Sequence, residues 1–174
     1  MIQPIPCLLP VIPPDPLLKR PEWLSAPPHL HFLCPTQAIT LSDVSFRDRF
    51  GQIWTVPRGF PHDGMSYPFL LRVLGWQKFD VRTRRTATMH DFRYSMNDYI
   101  YGWGSYDTQR RADLGLLDGL RIEFPSRAWW CFVGVRVGGY YVYQHKSYEY
   151  LMNKWLKAVA AGKLDKYLKE VAGI

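Results

Sequence analysis

Hydrophobic and polar positions change periodicity along this chain, and each change marks an element. Val44-Ser-Phe-Arg47 and Gln52-Ile-Trp-Thr-Val56 alternate at period two, as half-buried strands do. Asp48-Arg-Phe-Gly51 lies between them with turn chemistry, so the pattern predicts a hairpin. A loop dense in Gly, Pro, Asp and Ser follows over Pro57–Pro68. Helical spacing then predicts helices over roughly Arg84–Met96, Asp107–Leu120 (with Asp107 as N-cap) and Pro125–Val137. A final stretch from Ser147 places Leu151, Met152, Trp155, Leu156 and Val159, then Leu164, Tyr167, Leu168 and Val171, on one helical face. Gly162 predicts a bend within it. The expected fold class is α+β, a small N-terminal hairpin or sheet followed by a dominant helical bundle.

The amino-terminal stretch has neither period. Ten of the 14 prolines fall in the first 35 residues, which favours extended polyproline-like backbone and forbids helix. The same stretch carries Ile5, Leu8, Leu9, Ile12, Leu17, Trp23 and Leu24, more apolar groups than a solvated linker uses. It reads as an arm that lies on its own core or on a neighbouring subunit. Three regions follow: a proline-rich arm (1–37), an α+β core (38–145) and an amphipathic helical tail (146–174). No internal repeat is visible.

Composition narrows the class. Hydrophobic residues make up 47% and charged residues 21% of 174, enough for one buried core and too apolar for wholesale disorder. The net charge of +7 favours anionic partners: lipid headgroups, acidic wall polymers or nucleic acid. No zinc-finger, RNA-recognition or helix-turn-helix signature accompanies that charge, so nucleic acid is not the expected partner. Cys7, Cys34 and Cys131 are far apart and odd in number, arguing against a disulfide framework or a zinc knuckle. Prolines interrupt the apolar start and no basic n-region precedes it, so it does not read as a signal peptide. Arg136 and Gly138-Gly139 break the longest apolar run, Ala128–Tyr143, so no transmembrane segment is expected.

The candidate chemistry lies on the first two predicted helices. His90 and Tyr94 are four residues apart and share a face, with Asp91 turned about 100° away. On the second helix Asp113 keeps register with Leu116, Leu117 and Leu120, so it sits on the apolar stripe. Arg110, Arg111 and Asp118 read instead as solvated charges. A carboxylate on a buried stripe needs a partner, and an imidazole on an antiparallel neighbour supplies one. The pair would make His90 a general base oriented by Asp113. The same residues would also serve as a buried polar network pinning two helices together. Both readings stay open at this level. Arg93, with Arg82, Arg84 and Arg85, would draw an anionic substrate. Trp103, Trp129, Trp130 and Tyr140-Tyr-Val-Tyr143 are expected mostly in the core, with a few lining an interface.

Val56-Pro-Arg-Gly-Phe60, Asp63, Ser66-Tyr-Pro68, Ala87-Thr-Met-His-Asp-Phe-Arg-Tyr94 and Arg111-Ala-Asp113 occur in that order. Together they resemble a phage and prophage family, domain of unknown function thirteen-fifty-three, over roughly Val44–Gly139. His62, Gly64 and Met65 depart from its pattern, and the arm and tail lie outside it. The resemblance implies a phage protein, made in the host cytoplasm and incorporated in the virion with other virion proteins or as a homo-oligomer. More locally, H-D-x-x-Y followed by A-D at a separation of 113 − 90 = 23 residues is similar to the helix pair of phospholipases A2. That resemblance implies that His90 activates water, Asp91 binds Ca²⁺, Asp113 orients His90 and Tyr94 bonds to Asp113. The glycine-rich calcium loop of those enzymes is missing; Gly59–Ser66 would substitute, with Asp63 as a further oxygen ligand. A rival likeness, to histidine-aspartate phosphohydrolases, would group His62, His90, Asp91 and Asp113 as metal ligands. Ser66 with His90 and Asp113 would form a triad, but no nucleophile elbow surrounds it.

The expected function is that of a virion-associated tail or neck protein with a metal-assisted hydrolase site acting on host envelope lipid or peptidoglycan. The alternative is a non-enzymatic assembly protein that uses its proline-rich arm.

Overall fold

The computed structural model describes residues 20–65, 77–101, 106–143 and 149–174, with side chains described outside 97–108 and 137–149. The architecture is α+β: two small antiparallel sheets and five helices among the described residues. Strands β1 (Glu22–Trp23), β4 (Val44–Arg47) and β5 (Ile53–Val56) form one sheet in the order β1-β4-β5. Strands β2 (Leu30–Cys34), β3 (Gln37–Thr40) and β6 (Pro61–His62) form the other. Helices α1 (Arg84–Tyr101), α2 (Tyr106–Glu123), α3 (Pro125–Tyr143), α4 (Glu149–Ala160) and α5 (Leu164–Ala172) follow.

The expected hairpin is β4-β5, paired Val44 to Val56 through Arg47 to Ile53. Its turn is built by Asp48, whose Oδ1 accepts the backbone N–H groups of Phe50 and Gln52, both at 3.0 Å. Gly51 takes the left-handed φ of 77° that closes this turn. The other carboxylate oxygen of Asp48 accepts Trp54 Nε1–H at 3.1 Å and lies 3.6 Å from Arg93 Nη2. A loop residue is thereby tied to the first helix.

Strand structure begins earlier than the expected core boundary. The region assigned to the arm contains β1 and β2, and the β2-β3 hairpin crosses the expected boundary at residue 37. Pro27, Pro28 and Pro35 flank β2 without entering it, which leaves its ladder donors intact. Trp23 packs on Phe46 with centroids 4.5 Å apart, so the described end of the arm lies on its own core. Leu8 and its neighbours lie outside the described residues. Helices α1, α2 and α3 extend past their expected ends, α3 running through Gly138-Gly139. The expected bend at Gly162 is a full break, with Gly162 at φ 64°.

Two apolar clusters hold these elements. The first joins Ile39, Val44, Phe46, Val56 and Phe60 of the sheets to Met89, Phe92 and Met96 of α1 and to Met152, Trp155, Leu156, Tyr167 and Leu168 of the last two helices. The helical tail therefore completes the sheet core. Trp155 is fully buried and donates Nε1–H to the Arg58 carbonyl at 3.2 Å. The second cluster joins Ala87 of α1 to Leu116, Leu117 and Leu120 of α2 and to Ala128 and Cys131 of α3. Helix α1 contributes to both clusters, so its remaining face is the one that carries the polar groups.

Arg93 is fully buried, and burial lowers its pKa to about 10, while the carboxylates of Asp48 and Asp118 act in the opposite sense. Asp48→Ala would remove two turn bonds and leave that guanidinium without its nearest counter-charge. The expected loss is about 3–5 kcal/mol, the range for uncoupling a buried ion pair. Arg47→Ala, which breaks the exposed Glu22 pair, is expected to cost under about 1 kcal/mol. Urea denaturation of the two variants checks both, and equal losses would contradict this ranking.

Candidate functional site

Contacts between α1 and α2 step in opposite directions along the two chains: Thr86 meets Glu123, and His90 meets Asp113. The helices are therefore antiparallel, the condition under which His90 was expected to meet Asp113. Glycines let them approach. A Cβ on Gly119 would lie 2.6 Å from Thr86 Oγ1, and one on Gly115 would collide with Arg93 Nη1.

Asp113 is the centre of the site, and 1% of its surface is exposed. Its Oδ1 lies 3.1 Å from His90 Nε2 and accepts the Tyr94 hydroxyl. Its Oδ2 accepts Arg136 Nη1–H from α3 at 2.7 Å. Burial alone would raise the carboxyl pKa; His90, Arg136 and Tyr94 outweigh it and hold the group ionised below the ordinary range. An ionised carboxylate only accepts, so His90 Nε2 carries hydrogen and Nδ1 is the nitrogen left for chemistry. Burial disfavours the imidazolium of His90, but Asp113 and Asp91 overcome it and raise the pKa above 6.5. The imidazole keeps 11% of its surface exposed, in front of a fully buried carboxylate.

A second imidazole stands beside this pair. His62 was expected in a loop, yet it occupies β6, where Ala38 pairs with it across the ladder. Its Nδ1 is buried, without a hydrogen-bond partner, 3.9 Å from Asp91 Oδ2. His90 Nδ1 lies 3.9 Å from the other oxygen of Asp91. Two histidines thus flank one carboxylate, each too far away for a direct bond. Burial, with the charges of Arg84 and Lys78, holds the pKa of His62 down to about 3. Burial also pushes Asp91 up to about 7, with the charge of Asp63 adding to it.

Asp63 is engaged by Lys78 at 2.8 Å. Gly64 makes that possible: it adopts φ 74°, and a Cβ there would lie 2.6 Å from the Lys78 carbonyl. For the cation implied by the phospholipase likeness, Asp91 and Asp63 are suitable oxygen donors. The buried, unpartnered Asp91 Oδ2 and the repulsion between the two carboxylates are features a divalent ion would relieve. Among the described residues, no group of three or more His, Cys, Asp or Glu side chains converges on one point. The two aspartates are therefore a pair of donors and not a complete shell.

Other expected members are elsewhere. Gly59 turns at φ 79° against Leu164, Tyr167 and Leu168 of α5. Ser66 lies outside the described residues. Arg93 is too deeply buried to draw a substrate; it stacks over Trp54 at 4.4 Å beside Asp48. Arg82 and Arg85 are bonded to Asp80 and Glu123. Asp118, read as solvated, is buried in a two-pronged bond with Arg49. Arg136 was missed as a site residue, because an arginine that breaks an apolar run was weighed only against a membrane span. A cation on an otherwise apolar helix needs a buried anion, and that signal pointed to Asp113.

The two histidines have opposite linkage signs. His62 refuses in the folded state a proton that the unfolded chain accepts, so its contribution is complete above about 6.5 and is lost as pH falls toward about 3. His90 binds its proton more tightly when folded, so its contribution is complete below about 6.5 and fades as pH rises through its raised pKa. In NMR titrations, His90 should titrate above 6.5 and move downward in Asp113→Asn, while His62 should stay neutral to below about pH 4. A His90 midpoint that Asp113→Asn leaves unmoved would rule out the pairing.

No family model, curated protein or solved structure matches this chain. The functional reading therefore stands on the geometry and on the motif resemblances.

Proposed function

We propose that the protein is a phage-encoded, virion-associated tail or neck protein whose His90–Asp113 pair is a hydrolase site acting on the host envelope, on lipid or peptidoglycan. The observation that carries this reading is the orientation of His90. Nε2 is committed to a buried carboxylate, while Nδ1 lies on the side of Asp91 and the imidazole retains an exposed edge. That arrangement suits a general base.

Nδ1 would take a proton from water as the water attacks a carbonyl carbon. The imidazolium so formed is stabilised by Asp113, which stays ionised because Arg136 and Tyr94 hold it. The imidazolium then returns the proton to the leaving group. Asp91 and Asp63 are the residues that would hold a divalent cation such as Ca²⁺, whose chemistry is to polarise the carbonyl and stabilise the oxyanion. The antiparallel pairing of H-D-x-x-Y with A-D supports the likeness to phospholipases A2, and the motif order supports the phage family.

A second reading has the same network serve as a pin between three helices in an assembly protein. The complete pairing of Asp113 by α1 and α3 favours it, since such pairing also suits a purely structural carboxylate.

The two readings separate on purified bacterial envelopes, incubated with calcium or with chelator and analysed by mass spectrometry. The hydrolase reading expects release of fatty acids or wall fragments that falls by roughly 10²–10⁴ in His90→Ala, the range for a general base. Loss with chelator would add the cation. No release by folded wild type would sink the hydrolase reading and leave the pin. Arg136→Gln is expected to slow release while retaining the fold, checked by circular dichroism, because Asp113 would keep His90 and Tyr94 but lose its full counter-charge.

A further inference from the structure

Trp129 and Trp130, in the aromatic group expected mostly in the core with a few at an interface, are 58% and 64% exposed. Val81 and Ile122 are exposed as well. Isolated apolar side chains on a surface are ordinary, whereas a contiguous group is not. The guanidinium of Arg82 lies 4.3 Å from the Phe124 ring centroid, and that of Arg127 lies 4.8 Å from it. The turn that carries Val81, the end of α2 with Ile122 and the start of α3 therefore meet. Trp130 follows Arg127 by one helical turn, and Trp129 rests on Phe132 with centroids 5.7 Å apart. The exposed side chains lie at the α2–α3 junction and within the first two turns of α3.

Its outward charge is basic. Glu123 turns inward, where Arg85 and Thr86 bond it and 8% of its side chain is exposed. Asp80 is bonded by Arg82. Arg121 and Arg127 belong to the same helix junction, and Arg121 is exposed. Exposed indoles and aliphatic side chains beside guanidinium groups match the boundary between lipid headgroups and acyl chains. Guanidinium N–H groups donate to phosphate oxygens, indole occupies the interface, and Val81 and Ile122 gain hydrocarbon. A polysaccharide would stack on the indoles but offer the aliphatic residues nothing. No described helix is long and apolar enough to cross a membrane, so such contact would be peripheral.

We infer that the α2–α3 junction, with Trp129, Trp130, Val81 and Ile122 beside Arg121 and Arg127, is a docking surface for anionic lipid membranes. The inference deepens the envelope reading by naming lipid as the target, and its test does not need hydrolysis.

The full chain would be sedimented with vesicles of phosphatidylcholine alone and with vesicles containing phosphatidylglycerol. The inference expects binding to the anionic vesicles, weakened by salt. Trp129→Ser/Trp130→Ser should weaken it by roughly tenfold or more, and Arg121→Glu/Arg127→Glu by a similar factor. His90→Ala should bind like wild type, so a failure of catalysis would not be mistaken for a failure of docking. Thermal melting would confirm that the surface variants remain folded. Absence of binding, or binding indifferent to both double substitutions, would overturn the inference. So would a tryptophan-dependent dimer that ignores vesicles, which would make the surface a contact between copies.

Discussion

A carboxylate removed from water must be met by enough positive charge and hydrogen bonding to remain ionised, and Asp113 imposes that requirement on three helices. His90 and Tyr94 reach it from α1 and Arg136 from α3. Each partner fixes the rotation of its helix about its own axis, because a turn of one residue swings a side chain by about 100°. Apolar packing in the second cluster is less directional; Leu116, Leu117 and Leu120 would accept several registers. The polar centre selects one of them.

That constraint also explains why α1 is so unevenly used. Met89, Phe92 and Met96 go to the sheet core, Ala87 goes to the helical cluster, and His90 and Tyr94 take the remaining arc. Arg93 is caught between them, which accounts for its burial beside Asp48 and over Trp54. A hairpin turn and the candidate site are consequently coupled through one helix. Displacing Asp48 would be felt at Arg93, three residues from His90.

Periodicity made much of this legible. The β4-β5 hairpin follows from alternation around a turn, and Asp113 announced itself by sitting in the leucine stripe of α2. The failures share a physical origin. Asp118 occupies the next turn of α2 and looked like a surface charge, because its partner Arg49 is remote in sequence, in a hairpin turn. His62 looked like a loop residue because two strand residues between proline and glycine carry no period. The strands β1 and β2 hid among prolines that flank the ladder without entering it. Composition left open which of the aromatic residues reach the surface, and Trp129 and Trp130 are among those that do, flanking the buried Ala128 and Cys131 of α3. Long-range pairing and surface exposure are tertiary facts, and a local pattern reports neither.

The two histidines differ sharply in their surroundings. His62 and His90 flank the same carboxylate at the same distance, 3.9 Å, yet their environments drive them apart. His62 has no exposed surface and two nearby cations, so it stays neutral. His90 has Asp113 behind it and an exposed edge, so it can hold a proton and exchange one. A protonated His90 bonds the ionised Asp113 more strongly than a neutral one would, whereas His62 Nδ1 has no hydrogen-bond partner. Groups whose surroundings separate their proton affinities are the usual material of acid–base chemistry. Asp91 stands between them, raised by burial and by the charge of Asp63, while His90 and Lys78 act on it in the opposite sense.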